Sequence, residues 1–319
     1  MNLWESYDRI DEYLKEKLLT IPPYPCVSGN MVKKLLDCLE NPDPAWGGLD
    51  GEILRMVINP WQRAYQVEYR YKPSKVFEGS MRVIESATYD LMISNYVCSY
   101  ISLVPVVESV LREWAIEKSD EIESSNMKGD FKIKVFSKNL VSYLEEKNKQ
   151  KNTNPKFQRW LSNQIKYFEF MMDKVFYLRF KDSEDGVHKE FNRNRVLHLL
   201  DNVEDSRVLR DNNTRIFLLL DIIAELYLCQ DDNLYLKNTF YADCEDNIDF
   251  NLRWKIYLKN AQESIDFTDM NIIRFAFLTK EEKVYLTEDK KKKFLEQKEL
   301  QIKLMESRNI NRKNGSIDK

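Results

Sequence analysis

The sequence predicts an all-α protein, and three observations carry that reading. Glycine and proline are scarce, 8 and 9 in 319 residues, which leaves few of the turn formers that a β-sandwich or a glycine-rich phosphate loop requires. Apolar residues recur at three- and four-residue steps over long stretches, the period of a single helix face. The connectors between those stretches are polar, KNKQKNTNP at 147–155 being the clearest. With 43 % hydrophobic and 12 % aromatic residues, the chain can bury one large core or two moderate ones, which argues against intrinsic disorder.

Taken in order, the first 76 residues hold every proline except Pro105 and Pro155, so short helices and loops are expected there. Helices are predicted from Trp4 to Leu19, from Asn30 to Leu39 behind a Ser28 cap, and from Glu52 to Tyr71 with a kink at Pro60. NPDPAWGGLDG, 41–51, is a loop on its chemistry alone. Beyond Phe77 the spacing of Val83, Ile84, Ala87, Leu91, Val97, Cys98 and Ile101 predicts one amphipathic helix. Pro105 interrupts that pattern, and Val106, Val107, Val110, Leu111 and Trp114 continue it, giving one kinked helix or two abutting ones. Further helices are predicted at about Phe131–Glu146, Phe157–Phe176, Lys189–Leu200, Thr214–Cys229 and Asp249–Ala261. The run IFLLLDIIAELYL in the Thr214 helix belongs to a buried element. Ile272–Leu278 reads as helix or strand, Thr279 with Glu282 forms a capping-box pattern, and the tail containing Lys290–Lys293 reads as a charged helix.

Composition also excludes functions. The net charge is −3, so the protein as a whole is no polycation. Five cysteines, Cys26, Cys38, Cys98, Cys229 and Cys244, stand singly, as reduced thiols do, not as a disulfide frame or zinc knuckle. Two histidines, His188 and His198, exclude a histidine-rich metal site, and no cofactor is expected. No basic-then-apolar leader and no bilayer-length apolar run is visible. A cytoplasmic protein with no membrane contact is the expectation.

The segment richest in chemistry is Phe191–Asn202, FNRNRVLHLLDN. Cutting RNA without a metal needs an acid or base at the 2′-hydroxyl and leaving oxygen, and a fixed cation for charge developing on phosphorus. An imidazole with an ordinary pKa near ~6.5 fits the first role, and the planar, permanently charged guanidinium fits the second. Arg193 and His198 stand about 140° apart round an ideal helix. They converge only if Arg193 lies in the lead-in or first turn, where free N–H groups also favour a phosphate and Asn192 or Asn194 serves as cap.

Arg193, Asn194 and His198 resemble the RN-x-x-x-H form of the R-x4-6-H motif of HEPN domains, an all-α family rich in metal-independent endoribonucleases of antiviral defence and toxin–antitoxin systems. The resemblance covers about Phe77 to Gln230. It implies a helical bundle over 77–235, flanked by an N-terminal helical accessory region, 1–76, and a C-terminal helical extension, 236–319. It further implies RNA as substrate, a homodimer with a composite site built from two motifs, and a protein regulator or phage-derived trigger. The segment Val106–Trp114 resembles the first core helix of some members, in which an acidic residue, here Glu108, points toward the motif. Leu199 stands where such members often carry glycine.

Each of these residues has a plainer reading. His198, among Val196, Leu197, Leu199 and Leu200, suits a buried structural histidine, and His188 suits a surface loop. Arg193 and Arg195 suit solvated positions, and Glu108, in the turn after Pro105, suits a helix-dipole role. Arg195, Arg207, Arg210 and Arg215 are candidate RNA contacts, or solvated loop charges. Asp221 and Glu225, four apart in an apolar run, read as ion pairs with arginines in preference to an acid–base pair. Trp61, Tyr65, Tyr69 and Tyr71 read as core in preference to a base-stacking face. The competing function is a non-catalytic helical module that binds RNA, nucleotide or a protein partner, and a third reading is an antitoxin-like interaction protein whose motif is coincidental.

Overall fold

Helix boundaries follow local chemistry. Asparagine before proline opens two of them. Asn59 takes an extended conformation (φ −57°, ψ 131°) and its side chain accepts from the N–H groups of Trp61 and Gln62. Asn154 does the same for Lys156 and Phe157. In each case the proline at the first helical position has no N–H to leave unsatisfied. Ser94 closes a helix in the opposite way, with a left-handed φ of 61° that lets Asn95 N–H reach back to the Asp90 carbonyl, as a helix C-cap does.

A computed structural model of the chain describes residues 3–24, 29–42, 48–122, 133–151, 154–176, 206–239 and 246–263. Among them there is no strand. The helices are α1 (Leu3–Glu16), α2 (Gly29–Glu40), α3 (Leu49–Ile58) and α4 (Pro60–Gln66), the last continuing into a π-helical turn, Val67–Tyr71. After a 3-10 turn (Lys75–Ser80) come α5 (Met81–Met92), α6 (Tyr96–Glu117), α7 (Ile133–Lys151) and α8 (Pro155–Phe170) with a second π turn, Met171–Phe176. The described part ends with α9 (Ser206–Leu228), α10 (Asp232–Thr239) and α11 (Ile248–Glu263).

Two expectations are corrected here. The predicted Glu52–Tyr71 helix is two helices, because Asn59 caps a new one where a kink was expected. The break in the next long helix falls at 93–95, through Ser94, and not at Pro105, which α6 carries within it. Glu108 is therefore mid-helix and not in a first turn, which removes the helix-dipole role. The predicted helix at Lys189–Leu200, the segment Ile272–Leu278, the capping-box pattern and the charged tail lie outside the described residues.

The apolar run in α9 dictates the assembly. Every residue from Ile216 to Leu226 is buried, so the helix is enclosed on all sides. It packs against α3, α6 and α8 and both π turns. Around it α5 pairs with α6, α7 with α8, and α11 with α4 and α5. The buried apolar residues form one cluster from Tyr7 to Ala261; the stretches before 77 and after 235 thus contribute to the same core as the middle. No helix among the described residues is long and apolar enough to cross a membrane.

Candidate functional site

Two acidic residues on α9 stand in that core at zero and one per cent exposure. An ionised carboxylate in such a place costs several kcal/mol unless it is paired and hydrogen-bonded. Asp221 meets the Arg63 guanidinium as a fork: Nη1 lies 3.2 Å from Oδ1, and Nη2 reaches Oδ2. The Tyr24 hydroxyl donates to Oδ2 at 2.9 Å and the Tyr71 hydroxyl donates to Oδ1. One helical turn on, Glu225 meets Arg70, with Nε 2.8 Å from Oε2, and is hydrogen-bonded by Tyr235. Arg70 also donates to the carbonyls of Tyr69 (3.0 Å) and Asn238 (2.7 Å). Rings complete the enclosure: Arg63 lies over Phe217 and Arg70 over Tyr65.

Backbone geometry brings these groups together. In an unbroken α-helix Tyr71 would stand about 80° round from Arg63. The wider π turn at 67–71 takes up that difference, and both side chains reach Asp221. Burial lifts the Asp221 and Glu225 carboxyls above their ordinary range, while Arg63 and Arg70 restrain the rise. Burial also works against charge on the arginines, but Asp221 and Glu225 outweigh it and hold both charged. Tyr24, Tyr71 and Tyr235 are pushed well above the usual tyrosine value, first by burial and then by the adjacent carboxylate. Sealed from solvent, this ladder joins α4, the first π turn, α9 and α10; it is an internal tie and offers no substrate a way in. Asp221 and Glu225 are thus ion-paired, as their setting in an apolar run suggested.

The other candidates are dispersed. Arg193, Asn194, Arg195, His198 and His188 lie outside the described residues. Arg207 is in the first turn of α9. Arg210, part-buried, pairs with Asp211 at 2.9 Å. Arg215 is buried and donates to Asn212 Oδ1 (2.8 Å) and the Lys17 carbonyl (3.2 Å), which turns its guanidinium into the core and away from any surface groove. Trp61, Tyr65 and Tyr69 form one aromatic cluster with Phe250, Trp61 stacking on Tyr65 at 5.4 Å. Tyr71 stacks on Phe77. These are core rings.

Glu108 is half-buried on α6. Asn213 donates to the Tyr96 carbonyl near the start of α6, while Tyr227 meets Trp114 and Glu117 near its end. The two helices therefore run parallel, and Glu108 falls beside the middle of α9, roughly 20 Å from Ser206 at 1.5 Å per residue. Among the described residues no three His, Cys, Asp or Glu side chains converge as metal ligands would.

Sequence reasoning did not identify Arg63, Arg70, Tyr24 or Tyr235 as partners. The available signal was two arginines seven residues apart in a stretch otherwise rich in buried apolar and aromatic types. Compared with known proteins, the chain matches no family model, no curated protein and no solved structure.

Proposed function

We propose that the chain is a metal-independent endoribonuclease of HEPN type, acting in antiviral defence or as a growth-arresting toxin. His198 accepts the proton of an RNA 2′-hydroxyl. The oxygen then attacks the adjacent phosphorus, the bond to the 5′-oxygen breaks, and that oxygen leaves with the proton that the imidazole took up, which returns His198 to its neutral form. The products are a 2′,3′-cyclic phosphate and a 5′-hydroxyl. Arg193 neutralises the charge that builds on the phosphorane, Asn194 completes the motif, Arg195, Arg207 and Arg210 hold flanking phosphates, and two copies of the motif form the site across a homodimer. Arg215, whose guanidinium is committed to Asn212 and the Lys17 carbonyl, has no part in this reading, while Glu108 of α6 is kept as the acidic residue that the resemblance sets toward the motif.

The observation that supports it is where the motif joins the fold. The stretch 177–205 leaves from Phe176 and returns at Ser206, the ends of two elements packed on one another at the core. The motif thus stands in the chain between two elements of the helical core, as the resemblance implies. A second reading, a non-catalytic helical binding module, draws on a different observation: the acidic pair on α9 is committed to internal ion pairs. The test is incubation of purified protein with total RNA in EDTA. Cleavage that persists under chelation and is lost in Arg193→Ala and His198→Ala, with helical circular dichroism unchanged, is the expected result. Intact RNA, or cutting that survives both substitutions, refutes the enzyme and leaves the binding module.

A further inference from the structure

Residues 133–176, the hairpin of α7 and α8 with its π turn, hold nine lysines and arginines against four acids. That is a net of +5 inside a chain of net −3, so the remaining residues carry −8. Positive charge is concentrated on one helix pair of a molecule that elsewhere repels anions. Two contacts fix how the pair lies. Asn148 donates to the Gln158 carbonyl and to Ser162 Oγ, both at 2.9 Å, while Lys134 meets Asp173 at 3.6 Å. The helices are therefore antiparallel, with those residues along their seam. Ile133, Phe136, Leu140 and Leu144 turn the inner face of α7 into the core, as Leu161, Ile165 and Phe168 do for α8. At about 100° per residue, Lys134, Lys138 and Lys149 fall within about 60° of one another on α7, and Arg159 and Lys166 within about 20° on α8. Both groups border the seam from its solvent side, and all five residues are exposed.

The acids nearby are partly engaged. Asp173 pairs with Lys134, Asp8 of α1 lies 3.5 Å from Arg159, and Glu146 accepts from the Gln150 amide at 2.8 Å. Glu145 and Glu169 stand near the seam, yet Lys138, Lys149 and Lys166 have no ion-pair partner among the described residues. Three unpaired ammonium groups along one seam repel one another, and a chain of phosphates relieves that repulsion while releasing its own counterions. Lysine is a point charge without the planar fork of arginine, so such a row grips a backbone and reads no base. From Lys134 to Lys149 the seam runs about 22 Å at 1.5 Å per residue. It also leads to the motif: the π turn after α8 ends at Phe176, where the stretch 177–205 begins, and exposed Lys174 stands just before that end. We infer that the α7–α8 seam holds the phosphates of an RNA strand outside the cleavage site, through Lys138, Lys149 and Lys166. The inference rests on RNA as the ligand of this chain. It adds a dependence on length, because a strand long enough to lie along the seam binds more tightly than one that reaches only the motif.

Fluorescence anisotropy of a labelled single-stranded RNA with the His198→Ala chain, over a salt series, tests it. Lys138→Glu/Lys149→Glu/Lys166→Glu should weaken binding by on the order of a hundredfold and lower the slope of log affinity against log salt by about 2. The same three positions changed to arginine should keep both. In the chain that retains His198, the glutamate variant should still cut a diribonucleotide at the wild-type rate, since that substrate is too short to reach the seam; circular dichroism confirms its fold. Affinity and slope unchanged in the glutamate variant, with RNA still cut by the wild type, overturn the inference alone. Loss of diribonucleotide cleavage places the lysines at the site and overturns it too, as does a wild-type chain that binds phosphatidylserine vesicles and no RNA. A wild-type chain that binds RNA through these lysines and never cuts it sustains the inference and ends the ribonuclease reading.

Discussion

Removing Arg63 leaves Asp221 as a buried charge with two tyrosine hydroxyls and no cation. Breaking one side of a buried pair costs about 3–5 kcal/mol, whereas replacing both partners by apolar residues of similar volume is often neutral. Arg63→Met should therefore lower unfolding free energy by about 3–5 kcal/mol, and the double variant Arg63→Met/Asp221→Leu should recover most of it, as urea denaturation will measure. The tyrosines give a pH signature. Tyr24, Tyr71 and Tyr235 have folded pKa values raised above the unfolded value of ~10. Their contribution to stability is complete below ~pH 10 and is lost as pH rises toward the folded values. Tyrosinate absorbance should lag the ordinary titration and appear together with loss of helical signal, and Tyr71→Phe should reduce that coupling. Tyrosinate absorbance that is complete at ordinary pH with the helices intact would contradict the enclosure. At this scale the sequence disclosed one half of the ladder. Charges inside IFLLLDIIAELYL need internal partners, so Asp221 and Glu225 were legible as ion pairs. Arg63 is 158 residues from Asp221, and the π turn that aligns it with Tyr71 leaves no mark in a three- and four-residue apolar period.

For the elements, the helical class and most centres followed from periodicity, while two breaks did not. Asn59 is compatible with a kinked helix on pattern alone; its capping bonds to Trp61 and Gln62 make it a start. Asn59→Ala should cost about 1 kcal/mol, measured by thermal unfolding, and an unchanged midpoint would mean that the cap contributes nothing. Ser94 ends α5 in a left-handed conformation that glycine usually supplies, so no glycine signalled the stop. Pro105 reads as an interruption in any sequence, yet α6 runs through it because Val104, Val106 and Val107 on either side are buried and packing outweighs the lost hydrogen bond. The short helix α10 was not anticipated; its eight residues carry little periodicity.

As a whole molecule, the chain wraps helices from its beginning, middle and end around α9. Composition foretold a large helical core and the run IFLLLDIIAELYL a buried helix within it, but nothing in the pattern signalled that Arg215 would be spent inside that core. The candidate site was legible only as chemistry: an imidazole and a guanidinium spaced to converge at a helix start. Its most direct test is end-group analysis of RNA cut by the wild-type protein in EDTA. Fragments bearing 2′,3′-cyclic phosphate and 5′-hydroxyl ends are expected, with no cut where the attacking nucleotide is 2′-deoxy. Uncut RNA, or fragments with 5′-phosphate ends, would contradict it.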